Sequence, residues 1–138
     1  MSGYSIRPAA DMDLVRMLFR EYQRELAVDL CFQSFEAELA GLPGAYTSPE
    51  GALLILWSGE TPMGCVALRR SAEGIGEMKR LYVRAAARGT GQGKALANAI
   101  IEAAREAGYQ RLRLDTLPQM NTAISLYRAM GFQPTERY

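Results

Sequence analysis

The chain contains no histidine, two cysteines and one tryptophan, and its longest apolar run is Ala52–Trp57. Without an imidazole there is no Ser-His-Asp or Cys-His nucleophile, no His-ligated zinc and no His proton shuttle. Proton chemistry must then run through Asp, Glu, Tyr, Lys, Cys or water. Cys31 and Cys65 form neither a disulfide framework nor a CxxC metal site, and read as reduced, partly buried small hydrophobes. Six apolar residues cannot cross a bilayer, and the N-terminus MSGYSIRPAADMD lacks the apolar core of a signal peptide. The expectation is a cytoplasmic chain that takes no membrane as partner. Its 138 residues predict a single domain, 1–138, large enough for a core without staples.

Charge is sparse only in sum. The net of +1 hides an acidic half, with four arginines against nine acids in residues 1–68, and a basic half, with twelve cations against six acids in 69–138. Between Met78 and Ile101 lie Lys79, Arg80, Arg84, Arg88 and Lys94 and no acid. A local positive field of this kind suits a polyanionic ligand. Concentration of the cations around one glycine loop argues against nucleic acid as the partner.

Tyr4–Arg7 reads as a strand ended by Pro8. Asp11 or Asp13 can cap a helix whose stripe is Leu14, Val15, Leu18, Phe19, Tyr22 and Leu26. A second, short helix is predicted over Phe35–Leu42, with Ser34 as N-cap. Gly44–Gly51 is turn chemistry. Strands are predicted at Ala52–Trp57, Met63–Arg70 and Glu77–Val83, with turns at Ser58–Pro62 and Ser71–Gly76. From Gly91 a helix carries the stripe Leu96, Ile100, Ala103, Ala107 and stops at Gly108. Arg111–Thr116 alternates as a strand, and Asn121 caps a helix to Met130 closed by Gly131. The order β-α-α-β-β-β-α-β-α implies an α+β domain: a mixed, mostly antiparallel sheet flanked by helices.

The segment Glu77–Leu96 (EMKRLYVRAAARGTGQGKAL) runs from strand through a loop with glycines at 89, 91 and 93 into a helix. A helix N-terminus reached through glycines offers unpaired N–H groups to a phosphate. Two phosphate loops fail on spacing. A P-loop would need glycine where Arg88 stands and a hydroxyl where Ala95 stands; a dinucleotide GxGxxG from Gly89 would need glycine where Lys94 stands. What fits is Arg88-Gly-Thr-Gly91-Gln-Gly93, R-x-x-G-x-G. Downstream comes Asn121-Thr-Ala-Ile-Ser-Leu-Tyr127-Arg-Ala-Met-Gly131-Phe132.

These two motifs, in this element order, resemble the GCN5-related N-acetyltransferase (GNAT) superfamily across essentially the whole chain. The resemblance implies an acyl-CoA-dependent N-acyltransferase with acetyl-CoA as cosubstrate, an amine acceptor and no metal. It implies that backbone N–H groups of Gly89, Thr90, Gly91, Gln92, Gly93 and Lys94 hold the CoA pyrophosphate. Arg84 and Arg88 would contact the pyrophosphate or the 3′-phosphate. The backbone of Leu81, Tyr82 and Val83 would pair with pantetheine, and Asn121 would hydrogen-bond it. Tyr127 would protonate the departing thiolate, and Glu77, directly or through water, would take the amine proton, with Asp115 the second candidate.

Each residue also has a plainer reading: Tyr127 as core, Asn121 as an N-cap, Arg84 and Arg88 as solvated cations, Glu77 as a solvent-facing strand acid paired with arginine. Acceptor preference is expected from Tyr22, Leu30–Phe35 and Gly44–Thr47, although each aromatic there reads more plainly as core than as pocket, and the acidic half favours a cationic amine. Only six residues follow Phe132, where the family continues with a hairpin; the final strand is expected to be missing or supplied by a partner chain, as in a homodimer. The alternative function is a CoA-binding regulatory module without turnover.

Overall fold

Hydrophobic alternation and helical stripes place the elements of the computed structural model, which describes residues 3–26 and 32–114. In chain order these are β1 (Tyr4–Pro8), α1 (Met12–Leu26), α2 (Phe32–Ala40), a 3₁₀ turn (Gly44–Tyr46), β2 (Ala52–Ser58), β3 (Thr61–Ala72), β4 (Ile75–Val83), a 3₁₀ turn (Ala85–Ala87), α3 (Gln92–Glu106) and β5 (Arg111–Leu114). Asp11 Oδ1 accepts the Asp13 amide at 2.9 Å, so Asp11 caps α1. Asp13 lies inside the helix and pairs with Arg16 at 2.9 Å.

Several predicted boundaries move. α2 begins at Phe32 instead of Phe35, so Ser34 lies in its first turn and does not precede it. The Phe32, Phe35, Leu39 spacing of three and four extends the helical stripe backwards. Both predicted hairpin turns shrink to two residues, Gly59-Glu60 and Glu73-Gly74, because Ser58 pairs with Thr61 and Ala72 with Ile75. Turn-forming residues at the rims are absorbed into the ladder.

The strands form one sheet in sequence order, antiparallel from β1 to β4 and parallel between β4 and β5. Side chains alternate across it. On β3, Cys65 and Ala67 join Val15, Leu18, Phe19, Phe35 and Leu39 beneath α1 and α2. Val66 and Leu68 join Leu96, Ala97 and Ile100 beneath α3. Burial on both faces explains why β2 and the middle of β3 read as nearly unbroken apolar runs. Phe19 and Ile100 are wholly buried, each stabilising by about 1.5–3 kcal/mol relative to exposure.

Two features shape the far end of β4. Ala67 pairs with Lys79 and Cys65 with Tyr82, so β4 carries one extra residue there, a bulge with Arg80 at φ +60°. The described pairing of β4 with β5 runs from Ile75↔Arg111 to Met78↔Leu114. Among the described residues, Lys79–Val83 therefore has a strand partner on the β3 side alone. Gly64 lets β3 and β4 close up at this point, since a Cβ there would lie 2.4 Å from the Tyr82 carbonyl oxygen.

Candidate active site

β4 delivers its residues to opposite faces. The Leu81 and Val83 side chains pack against the α3 core, while Tyr82 is buried beneath α1. Arg84 N–H donates to the Met63 carbonyl at 2.7 Å, and the 3₁₀ turn that follows carries the chain to α3. Gly89 (φ +78°) and Gly91 (φ +83°) adopt left-handed backbone, and Gly91 is the N-cap of α3. No Cβ at Gly91 would meet another atom within 4 Å, so glycine is needed there for φ alone. The N-cap makes no side-chain hydrogen bond and the first turn contains no acid. The amides of Gln92, Gly93 and Lys94 thus open an α-helix at its positive end. Thr90 is exposed, its hydroxyl donating to the Ala87 carbonyl at 2.5 Å, and the Gln92 side chain donates through Nε2 to the Thr90 carbonyl at 3.2 Å.

The arginines of the basic stretch meet acids that sequence order conceals. Arg84 donates to Glu21 through Nε (2.8 Å) and Nη2 (2.5 Å), and to the Pro62 carbonyl through Nη1 at 2.9 Å. Arg88 donates to Glu25 at 2.5 Å and to the Val83 carbonyl at 2.8 Å. Tyr82 Oη lies 3.1 Å from Glu21 and 3.0 Å from Glu25, its proton shared between them. The hydrogen bond from Arg84 holds the Glu21 carboxyl below its ordinary value, and that from Arg88 does the same for Glu25. Burial, then these two carboxylates, push the Tyr82 phenol up. Glu21 and Glu25 sit four apart on α1 and the arginines four apart after β4, a spacing visible in the sequence, but only the fold sets them opposite one another.

Arg80 is held more deeply. Its guanidinium makes two hydrogen bonds to Glu38 of α2 and lies over the rings of Phe35 (5.2 Å), Tyr22 (5.8 Å) and Phe19 (6.0 Å). Phe35 and Tyr46, in the segments named for acceptor preference, belong to the core there, the plainer reading of those aromatics. Burial, followed by Glu38, raises the Tyr46 phenol. Tyr22 is half-buried and stacks edge-on against Tyr82 at 6.2 Å.

Glu77 lies on β4 before the bulge, 8% exposed, with its Oε1 3.3 Å from Arg69 Nε. It stands between Arg69 of β3 and Arg113 of β5 in register. The buried Cys65 thiol donates to the Arg80 carbonyl at 3.4 Å and is raised by burial, which suits packing and not nucleophilic attack. Tyr127, Asn121, Asp115 and Cys31 lie outside the described residues. Among the described residues no group of His, Cys, Asp and Glu is placed to hold a metal, and no helix is long and apolar enough to cross a membrane.

An uncharacterized N-acetyltransferase of Schizosaccharomyces pombe is 38% identical over 136 residues, covering 97% of this chain and 83% of that protein. An acetyltransferase structure from Streptococcus agalactiae superposes with a TM-score of 0.84 at 19% identity, covering 99% of this chain and 87% of that one. The structure of AAC(6')-Iy in complex with the bisubstrate analogue CoA-S-monomethyl-acetylneamine superposes with a TM-score of 0.72 at 17% identity, covering 98% and 94%. The model of the acetyltransferase (GNAT) family matches residues 13–132. With that match laid over a mixed sheet whose bulged β4 leads through left-handed glycines into α3, this chain belongs to the GNAT family of acetyltransferases.

Proposed function

We propose that this chain transfers the acetyl group of acetyl-CoA to a primary amine by direct attack within a ternary complex. The observation that carries the reading is the junction of β4 and α3. A left-handed Gly91 opens a helix with no acid in its first turn, just after a strand stretch that, among the described residues, pairs on one side. Such a junction can take a pyrophosphate at the amides of Gly89–Lys94 and an extended arm alongside Leu81–Val83. The Val83 carbonyl is already engaged by Arg88, so the arm would pair through the remaining groups of that stretch. A CoA adduct is named for a protein of the same fold, which supports the choice of cosubstrate.

In this reading an N–H of the Leu81–Val83 stretch polarises the thioester carbonyl. The amine nitrogen attacks the carbonyl carbon, Glu77 receives the amine proton directly or through water, and the carbon–sulfur bond breaks. Tyr127 gives its proton to the leaving thiolate, and Asn121 fixes the pantetheine arm. Arg84 and Arg88 are each tied to a carboxylate of α1. Their part would be to keep the loop in place and to lend charge to the phosphates. The domain 1–138 acts as one unit in this scheme.

The test is thiol release from acetyl-CoA across amine classes, with binding of acetyl-CoA followed by calorimetry. Tyr127→Phe should depress release while acetyl-CoA binding stays within a few-fold. Unchanged turnover in that variant removes Tyr127 from the mechanism. Binding without release on any amine favours the regulatory-module reading.

A further inference from the structure

Much of the acidity of α1 and α2 is already paired and does not stand as an uncompensated surface. Glu21, Glu25, Glu36 and Glu38 are each engaged by an arginine: Arg84, Arg88, Arg20 and Arg80 respectively. Around Glu77 the balance is reversed. Arg69 faces it across β3–β4 and Arg113 across β4–β5, and residues in register on neighbouring strands project from the same face. Because Leu68 and Met78 point into the α3 core, this row lies on the α1–α2 face. Arg69 is also near enough to the buried Tyr46 to act on its phenol. One guanidinium meets the Glu77 carboxylate, and a second arginine stands in register on its other side.

Arg69 is incompletely committed. Its Nε is buried and within ion-pair range of Glu77 at 3.3 Å, yet it makes no hydrogen bond. Two-fifths of its side chain remains exposed. A guanidinium fork in this state is matched by a planar carboxylate. A polyamine would instead bring a second cation among the arginines. The positive surroundings also favour the neutral, nucleophilic form of an incoming amine over its ammonium.

We propose that the acceptor is an amine that carries its own carboxylate, an amino acid or a close analogue, with Arg69 and Arg113 receiving the carboxylate while Glu77 faces the amine. The proposal rests on the reading of Glu77 as base, and it reverses the preference for a cationic amine drawn from the half-chain charge.

Paired acceptors test it on the full chain: free amino acids such as phenylalanine and glutamate, their α-amides, and spermidine and an aminoglycoside as cationic controls. The free acids should exceed their amides by at least about tenfold in kcat/KM. Arg69→Gln should raise KM for the acids by roughly 10- to 100-fold and collapse the acid-to-amide ratio; Arg113→Gln should lower that ratio and Arg69→Lys should restore part of it. Equal use of acid and amide, preference for the cationic controls, or no turnover of any acid overturns the proposal. Glu77→Gln separates the two readings. Full turnover in that variant, with the acid preference and its loss in Arg69→Gln intact, removes Glu77 as base and leaves the acceptor class standing. Failure to bind acetyl-CoA overturns both.

Discussion

Arg80 clasps Glu38 through two hydrogen bonds, Nε to Oε2 at 3.1 Å and Nη2 to Oε1 at 2.9 Å, while its own backbone sits at φ +60°. Among the described residues it is the one non-glycine with a positive φ. A helix carboxylate thus anchors the residue that kinks β4. Removing one partner of a largely buried pair costs about 3 kcal/mol, because a desolvated charge is left behind. Arg80→Ala should therefore lower Tm by roughly 10 °C. Arg80→Gly should recover about 1 kcal/mol of that loss, since glycine takes the left-handed backbone without strain. Equal melting of the two variants would show that the bulge holds no strain for the ion pair to oppose.

Acid should loosen α1 from the segment that follows β4. Glu21 and Glu25 are held below the ordinary carboxylate value of 4.5, by hydrogen bonds from Arg84 and Arg88 respectively. A carboxylate depressed on folding contributes stability that is present in full above 4.5 and is lost as pH falls through its folded value. Urea midpoints measured from pH 6 to pH 3 should fall more steeply in the wild type than in Glu21→Gln. Parallel curves would remove Glu21 from the acid response.

Two glycines should fail for different reasons. Gly91→Ala meets no atom within 4 Å but must hold φ +83°, a conformational cost of about 1–2 kcal/mol. Its acetyl-CoA affinity should fall about tenfold as the N-terminus of α3 shifts. Gly64→Ala places a Cβ 2.4 Å from the Tyr82 carbonyl oxygen, so β3 and β4 must separate. That overpacking should cost about 1–3 kcal/mol, read as a lower urea midpoint. Calorimetry with acetyl-CoA and urea unfolding together distinguish the two.

Glu77→Gln keeps the shape of a side chain that is 8% exposed beside Arg69. It should lower kcat by about 10²–10⁴ while KM for acetyl-CoA moves little, as expected when a positioned proton acceptor is lost. A loss confined to KM would make Glu77 a structural partner of Arg69.

The fold was legible because its signals are local. β2 is a continuous apolar run, α1 has a capped stripe, and Gly91 and Gly108 stand where left-handed backbone is required, with φ of +83° and +90°. The glycine loop before α3 was legible for the same reason, as spacing and glycines suffice to find it. What escaped is whatever needs the third dimension. Arg84 and Arg88 sit in a stretch with no acid, yet Glu21 and Glu25 reach them across 63 residues. Arg80 reads as one more cation, and nothing near it announces Glu38, 42 residues earlier, or the rings around it. Arg69 gains its relation to Glu77 only through the β3–β4 register. Charge counted along a chain is not charge counted in space.

The tie between α1 and the residues after β4 also constrains how such a protein can change. Glu21 and Glu25 face the loop from a helix whose neighbouring turn, at Tyr22, stacks on Tyr82. A substitution on that side of α1 alters the electrostatic setting of Arg84 and Arg88 at the same time. Change on one side therefore requires a matched adjustment on the other. Variants along α1 should be sought in pairs with variants at 84 and 88, and not one at a time.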